Sequence, residues 1–190
     1  MNVSVLKNHN TSHWSGGSTT ELFIHPAEAK YSERNFQLRL SIAKVDDEQS
    51  TFTSLNGVNR KLMVLEGQIY LNHKNQHSSK LKKFNVDTFK GDWTSTCIGT
   101  CTDFNVMTMG PLKSELFGLH IAPDNKSDIE LEPQWENLYV FVLNGCLQIE
   151  INHETLILEE GKLLVIHQSS QVLFPTYSKE GCQIAVTKTT

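Results

Sequence analysis

The stretch Met63-Val64-Leu65-Glu66-Gly67 has a counterpart in Phe141-Val142-Leu143-Asn144-Gly145, and Asn72-His73 has one in Asn152-His153. The interval from glycine to asparagine is five residues in the first copy and seven in the second. Because these intervals differ by one full strand period, the side chains keep the same in–out phase in both copies. The repeat therefore predicts two related β-units in one chain.

Strand patterns dominate the rest of the sequence. Residues 36–43 alternate between apolar and more polar positions, whereas Leu62–Leu65 and Leu138–Leu143 are continuous apolar runs, as in strands covered on both faces. Glycine and asparagine turn signals separate the strands. We expect an all-β fold of duplicated cupin (jelly-roll-type) barrels, a bicupin. The predicted domains are an N-terminal barrel over residues 1–122 and a C-terminal barrel over residues 123–190 that shares strands with the first.

Composition excludes several classes of partner. The chain has 190 residues and a net charge of −4, and its only lysine cluster is the short Lys80–Lys83 stretch, so neither nucleic acid nor a membrane surface is an expected partner. The N-terminus does not resemble a signal peptide, and the apolar runs are too short to span a bilayer. We expect a cytoplasmic location, with the four cysteines reduced.

The usual cupin metal ligands are missing from both copies. Metal-binding cupins carry a glutamate seven residues before the turn glycine, and those positions hold Arg60 and Leu138 here. Val172 stands where a later histidine belongs, and His73 and His77 fall in a polar hairpin loop that predicts solvated side chains. Since a stable site needs three or four ligands, we expect no metal and no cofactor.

Five stretches in series resemble one family. They are Trp14–Leu22, Phe36–Ala43, Phe52–Arg60 with Leu65–Gly67, Phe89–Asp92 and Asp103–Met107. In this order they are similar to the HutD/Ves family. The resemblance implies a bicupin fold, a link to bacterial histidine utilisation, and binding of a formylated or formiminated glutamate.

Two arginines are candidate anion ligands. Arg39 shares a strand face with Ser41 that would line the cavity of a closed barrel, where its guanidinium could clamp a carboxylate. The alternative is an arginine paired with Asp103 or facing water. Arg60 stands at the position where metal-binding cupins have an anionic ligand. A cation at this position would form an anion site. The alternative is a salt bridge at the rim of the barrel.

Further candidates lie on neighbouring segments. Asp103 and Asn105 share a face and would either line a pocket or fix turns through hydrogen bonds. Trp14 and Thr19 belong to a Gly- and hydroxyl-rich segment that we expect to fold over the barrel mouth, with Glu21 as its anchor; the alternative is the start of a strand.

Three functions remain open. The leading hypothesis is a metal-free protein that binds a small carboxylate-bearing metabolite through Arg39 and Arg60, with Asn105 and Thr19 orienting it. The second is a metal-independent isomerase, lyase or hydrolase that uses Glu21 or Asp92 as catalytic groups. The third is an interaction module whose sheet edges pair with a partner or with a second copy in a homodimer.

Overall fold

The computed structural model describes residues 1–7, 9–168 and 170–190. Their regular secondary structure is almost entirely β-strand, which confirms the predicted all-β class, and the one helical element among them is the 3-10 turn Tyr31–Glu33. In this described part of the chain, no helix has the length and hydrophobicity needed to cross a membrane. The strands, in chain order, are β1 (Asn2–Leu6), β2 (Asn10–Trp14), β3 (Gly17–His25), β4 (Leu38–Val45), β5 (Gln49–Thr51), β6 (Val58–His73), β7 (Ser78–Lys82), β8 (Val86–Lys90), β9 (Ser95–Ile98), β10 (Cys101–Met109), β11 (Ser114–Ile121), β12 (Asn125–Glu130), β13 (Asn137–Ile151), β14 (Glu154–Glu159), β15 (Leu163–His167), β16 (Leu173–Ser178) and β17 (Cys182–Thr189).

The strands form two compact units. The N-terminal unit, His9–Leu112, has the sheet order β2-β3-β4-β10-β6-β9-β5, with β7 and β8 also paired to β6. The C-terminal unit combines Met1–Asn8 with Lys113–Thr190 and has the order β1-β15-β13-β16-β12, with β14 and β17 paired to β13 and β11 paired to β17. Each unit has its own apolar core.

This division differs from the boundary expected between residues 122 and 123. Strand β11 pairs along its whole length with β17, which assigns residues 113–122 to the C-terminal unit. Strand β1 pairs with β15 and joins the same unit from the other end of the sequence. The stretch that follows Pro123 forms β12. The observed boundary differs from the predicted one because strands that are distant in sequence pair with each other, and such pairing leaves no local sequence signal.

One long strand organises each unit. The first part of β6 pairs with β10 and β8, whereas residues 68–73 pair with β7 and β9. The register shifts by one residue at Leu65, because Val64 and Glu66 lie opposite the consecutive residues Asp103 and Thr102. Such a bulge bends a strand and increases its twist. The bend lets β6 contribute to both layers of one barrel.

Strand β13 repeats this construction. Its register shifts at Leu143, between the pairs Val142–Ile184 and Asn144–Gln183, and its two parts also have different partners. Residues 62–65 and 138–142 are buried on both faces, as the continuous apolar runs predicted. The sequence repeat therefore corresponds to a long strand in each unit that is buried on both faces and contains a bulge.

A glycine follows each bulge for a steric reason. Gly67 has φ +82° and Gly145 has φ +77°, in the left-handed region that favours glycine. A Cβ atom at Gly67 would overlap with the carbonyl oxygen of Thr100, and one at Gly145 would overlap with that of Gly181. Both the backbone angle and the close approach of a second strand exclude a side chain here.

We predict that Gly67→Ala destabilises the protein more than Gly110→Ala. Gly110 also has a positive φ, +70°, but a Cβ atom there would meet nothing within 4 Å. Both substitutions impose about 1–2 kcal/mol of backbone strain, and Gly67→Ala should add about 1–3 kcal/mol of overpacking. Urea unfolding of the three proteins measures the difference. Equal losses for the two variants would show that the approach of Thr100 is not a constraint.

Candidate functional site

The N-terminal unit contains a cavity of about 370 Å³. Its lining includes every residue that the sequence analysis assigned to ligand binding, namely Trp14, Thr19, Arg39, Ser41, Arg60, Asp103 and Asn105. Apolar side chains such as Phe52, Leu62 and Met107 complete much of the wall. A small set of polar groups in a largely apolar wall is typical of small-molecule sites.

Sheet register explains why these side chains meet. Strands β3, β4, β10 and β6 are consecutive neighbours, and Met107 of β10 lies opposite both Arg39 of β4 and Arg60 of β6. Asn105 lies opposite Ser41 in the same way. Because side chains alternate between the faces of a strand, all of these residues point to one side of the sheet. This confirms the prediction that Arg39 and Ser41 share one face of their strand.

Arg39 is compensated by an acid. Its Nε donates a hydrogen bond to Glu21 Oε2 at 2.7 Å, and its Nη1 donates to Ser41 Oγ at 3.1 Å. Its guanidinium carbon lies 4.3 Å from the centre of the Tyr31 ring. The alternative prediction, that Arg39 pairs with Asp103, is therefore wrong, because its acidic partner is Glu21.

The segment that carries Glu21 is a strand. Residues 10–25 form the β2–β3 hairpin, so the prediction of a loop over the barrel mouth was wrong and its alternative, the start of a strand, is confirmed. A register shift between Glu21 and Phe23 leaves Leu22 without a position opposite β4. Glu21 itself lies opposite Ser41, next to Arg39.

Arg60 lacks such compensation. Its side chain is only 8% exposed, and its Nη2 donates a hydrogen bond to Asn105 Oδ1 at 3.0 Å. The Phe52 and Phe89 rings lie 4.9 and 5.0 Å from its guanidinium carbon. Among the described residues, its Nε has no hydrogen-bond partner and no acid comes within 4.0 Å to form an ion pair. Burial lowers the pKa of Arg60 from its usual value, a sign that protein contacts only poorly replace the lost hydration of its charge.

Asp103 is a buried carboxyl group at the same wall. It is 2% exposed, accepts a hydrogen bond from Asn105 Nδ2, and lies 3.6 Å from the Cys101 thiol. Burial raises the pKa of Asp103 to about 7, although the positive charge of Arg60 acts in the opposite direction. Near neutral pH, Asp103 is therefore present in both its protonated and its ionised forms.

The remaining catalytic candidate lies elsewhere. Asp92 is exposed in the turn between β8 and β9 and is not among the residues that line the cavity. The structure does not bring it together with Glu21 at this site. A proton-transfer role in the cavity would fall to Asp103, which the sequence analysis assigned only to ligand binding or turn structure.

A second polar cluster contradicts one sequence expectation. His73 was expected to be solvated, but it is 1% exposed and contacts Asp87, as does the half-exposed His77. Burial lowers the pKa of His73; hydrogen bonds from His77 and Ser79 lower the pKa of Asp87 despite its own burial. A signal was present in the sequence, since His73 continues the buried alternation of Ile69 and Leu71.

Known structures share this architecture. PA5104 from Pseudomonas aeruginosa PAO1, a conserved protein of unknown function, aligns with a TM-score of 0.83 and 20% identity over 100% of this chain and 99% of that chain. HutD from Pseudomonas fluorescens SBW25 aligns at 0.69 and 22% over 98% and 99%. The Escherichia coli pirin YhhW, solved with nickel(II), aligns at 0.71 and 8% over 98% of both chains. These similarities show the fold and confirm the predicted cupin class.

Sequence comparison gives the family. A comparison with curated proteins finds no match. The HutD family model, by contrast, matches residues 6–184, which span both units. The chain therefore belongs to the HutD family.

Proposed function

We propose that the cavity beside Arg60 binds a small carboxylate-bearing metabolite, as part of a HutD-like role in histidine utilisation. Family membership supports the role, and the charge of the cavity supports the class of ligand. A formylated or formiminated amino acid is the proposed ligand, because it combines a carboxylate with a compact polar end group.

One observation carries the proposal. Arg60 is a buried guanidinium whose Nε has no partner and which forms no ion pair within the described part of the chain. A buried charge is costly unless an opposite charge or several hydrogen bonds replace its lost hydration. A carboxylate that entered the cavity would supply both, and a guanidinium can hold it through two parallel hydrogen bonds.

The charge balance of the wall favours one carboxylate group of the ligand at this position. Arg39 is already paired with Glu21, whereas Arg60 contributes a positive charge without a bonded acid. The nearest acid on the wall, Asp103, is largely neutral below pH 7 because of its raised pKa. In its neutral form, Asp103 would not repel an anion and would offer it a proton donor.

Two further groups would orient the ligand. Trp14 Nε1 donates a hydrogen bond to Thr19 Oγ1 at 3.2 Å, which leaves the Thr19 hydroxyl proton available to a ligand. Trp14 itself is 43% exposed, and its ring offers an apolar surface near the opening. The cavity volume of about 370 Å³ lies within the ~300–1,000 Å³ range of small-molecule sites.

The second candidate is an enzyme that acts on a similar small acid. The observation that favours it is Asp103, since a carboxyl group with a pKa of about 7 inside a cavity is suited to proton transfer at neutral pH. Turnover of a candidate metabolite that disappears in Asp103→Asn would support this function. Binding without turnover would favour the first. The interaction-module hypothesis stays a prediction.

We predict that Arg60→Gln weakens binding of N-formylglutamate by ~2–5 kcal/mol, at least about 30-fold in Kd. The variant keeps hydrogen-bonding capacity and much of the volume but removes the buried charge. Isothermal titration calorimetry measures the affinity, and circular dichroism checks the fold.

Lys61→Gln is the matched control. It removes the same charge from the adjacent residue of β6, whose amino group contacts Thr88 Oγ1 and does not line the cavity. Its affinity should equal that of the wild type. Equal affinities for Arg60→Gln and Lys61→Gln would remove Arg60 from the site.

We also predict that the affinity falls as the pH rises through about 7. A bound anion favours the protonated form of Asp103. At a pH where Asp103 of the free protein has lost its proton, binding must therefore take up a proton from solution. Above its pKa of about 7, the affinity should fall by up to about tenfold per pH unit. Calorimetry between pH 6 and pH 8.5 measures this profile. In Asp103→Asn the profile should be flat; an unchanged slope in that variant would assign the pH dependence to another group.

A further inference from the structure

A compact group of two histidines and one aspartate lies outside the cavity wall. His73 Nε2 is 3.2 Å from Asp87 Oδ2, and His77 Nε2 is 2.8 Å from Asp87 Oδ1. One ligand atom from each of the three residues lies within 4.8 Å of the others. These distances resemble those between donor atoms that share one metal ion, which sit about 3–4 Å apart when each is about 2.0–2.2 Å from zinc.

The fold brings these residues together from separate strands. His73 ends β6, His77 precedes β7 in the same hairpin, and Asp87 belongs to β8. Asp87 lies opposite Leu62 in the first part of β6, so only the bend after Leu65 brings the end of that strand back towards it. These positions differ from the slots at which metal-binding cupins carry their ligands, where this chain has Arg60 and Leu138.

The burial pattern suits a site that is open on one side. The side chains of His73 and Asp87 are 0% and 7% exposed, whereas that of His77 is 40% exposed. Two rigidly held ligands and one ligand at the surface would let an ion enter from solvent and keep a water molecule in its remaining position. Sites with three protein ligands and an open position are common for zinc and related ions.

Hydrogen bonds fix the ring of His73 in the orientation that a ligand requires. The Ser95 hydroxyl donates its single proton to the Trp93 carbonyl oxygen at 3.2 Å. Ser95 Oγ also lies 2.7 Å from His73 Nδ1, so it is placed to accept a hydrogen bond from that nitrogen when Nε2 binds an ion. The other ring nitrogen, Nε2, faces the Asp87 carboxylate and forms a hydrogen bond with it at 3.2 Å, and a metal ion bound between the two would replace the proton of that hydrogen bond.

Asp87 is oriented as well. The backbone N–H of Thr88 donates to Asp87 Oδ1 at 2.8 Å, and Trp93 packs its edge against the rings of both His73 and His77. Hydrogen bonds to the other ring nitrogen of a histidine and to a carboxylate are characteristic of metal ligands. We propose that His73, His77 and Asp87 bind one divalent transition-metal ion of the zinc type.

The test is titration of chelator-treated protein with Zn²⁺ alone, followed by calorimetry, and with Co²⁺ alone, followed by its visible absorption. We expect one ion per chain and an absorption spectrum of nitrogen and oxygen coordination. His77→Ala, at the half-exposed position, and Asp87→Asn, which keeps the shape, should weaken binding by more than the roughly 10- to 100-fold that outer-contact changes cost. Ser95→Ala should fall within that range.

His153→Ala is the control, because His153 is an almost fully exposed histidine beside an acid, Glu150, at 3.7 Å. Zn²⁺ should also raise the melting temperature of the wild type and of His153→Ala but not that of His77→Ala. Absence of stoichiometric Zn²⁺ and Co²⁺ binding would overturn the proposal and leave a proton as the cation between His73 and Asp87. Binding that persists unchanged in both His77→Ala and Asp87→Asn would overturn it too, because the ion would then lie elsewhere.

Discussion

The fold depends on the close approach of two backbones at the glycine that follows each bulge. At Gly67 the neighbouring carbonyl of Thr100 occupies the space that a side chain would need, and Gly181 does the same at Gly145. This contact fixes where the long strands β6 and β13 bend, and the bend decides which partners each half can pair with. Barrel closure therefore follows from a backbone constraint, and the apolar cores fill the space that it encloses.

The bend also separates two kinds of chemistry on one strand. Arg60 lies before it and faces the cavity, whereas His73 lies after it and faces Asp87. The Phe89 ring contacts both, since it lies 5.0 Å from the Arg60 guanidinium carbon and 4.5 Å from the His73 ring. An aromatic face stabilises a buried cation without neutralising it. Arg60 thus keeps a charge that is available to an anion.

Much of the fold and part of the site could be predicted from residue order alone. Alternation placed Arg39 and Asn105 on an inward face, and counting back from Gly67 identified Arg60 as a departure from the metal-binding pattern. Pairing partners could not be predicted, because a bulge shifts register without a strong sequence signal. For that reason the pairing of Glu21 with Arg39 was missed, and the burial of His73 was masked by the polar residues around it. The raised pKa of Asp103 comes from its burial in the folded protein, which no local pattern encodes.

The pairing of β1 with β15 has a consequence for biosynthesis. Leu6 lies opposite Leu163, so translation must proceed beyond β15 before β1 can pair with it. Closing so long a loop is slow compared with forming the local hairpins of β2–β3 or β6–β7. During synthesis β1 therefore waits for its partner and stays accessible to chaperones until β15 has been made. The C-terminal unit can only reach its complete sheet after translation of β17, whereas the strands of the N-terminal unit are contiguous and can assemble earlier.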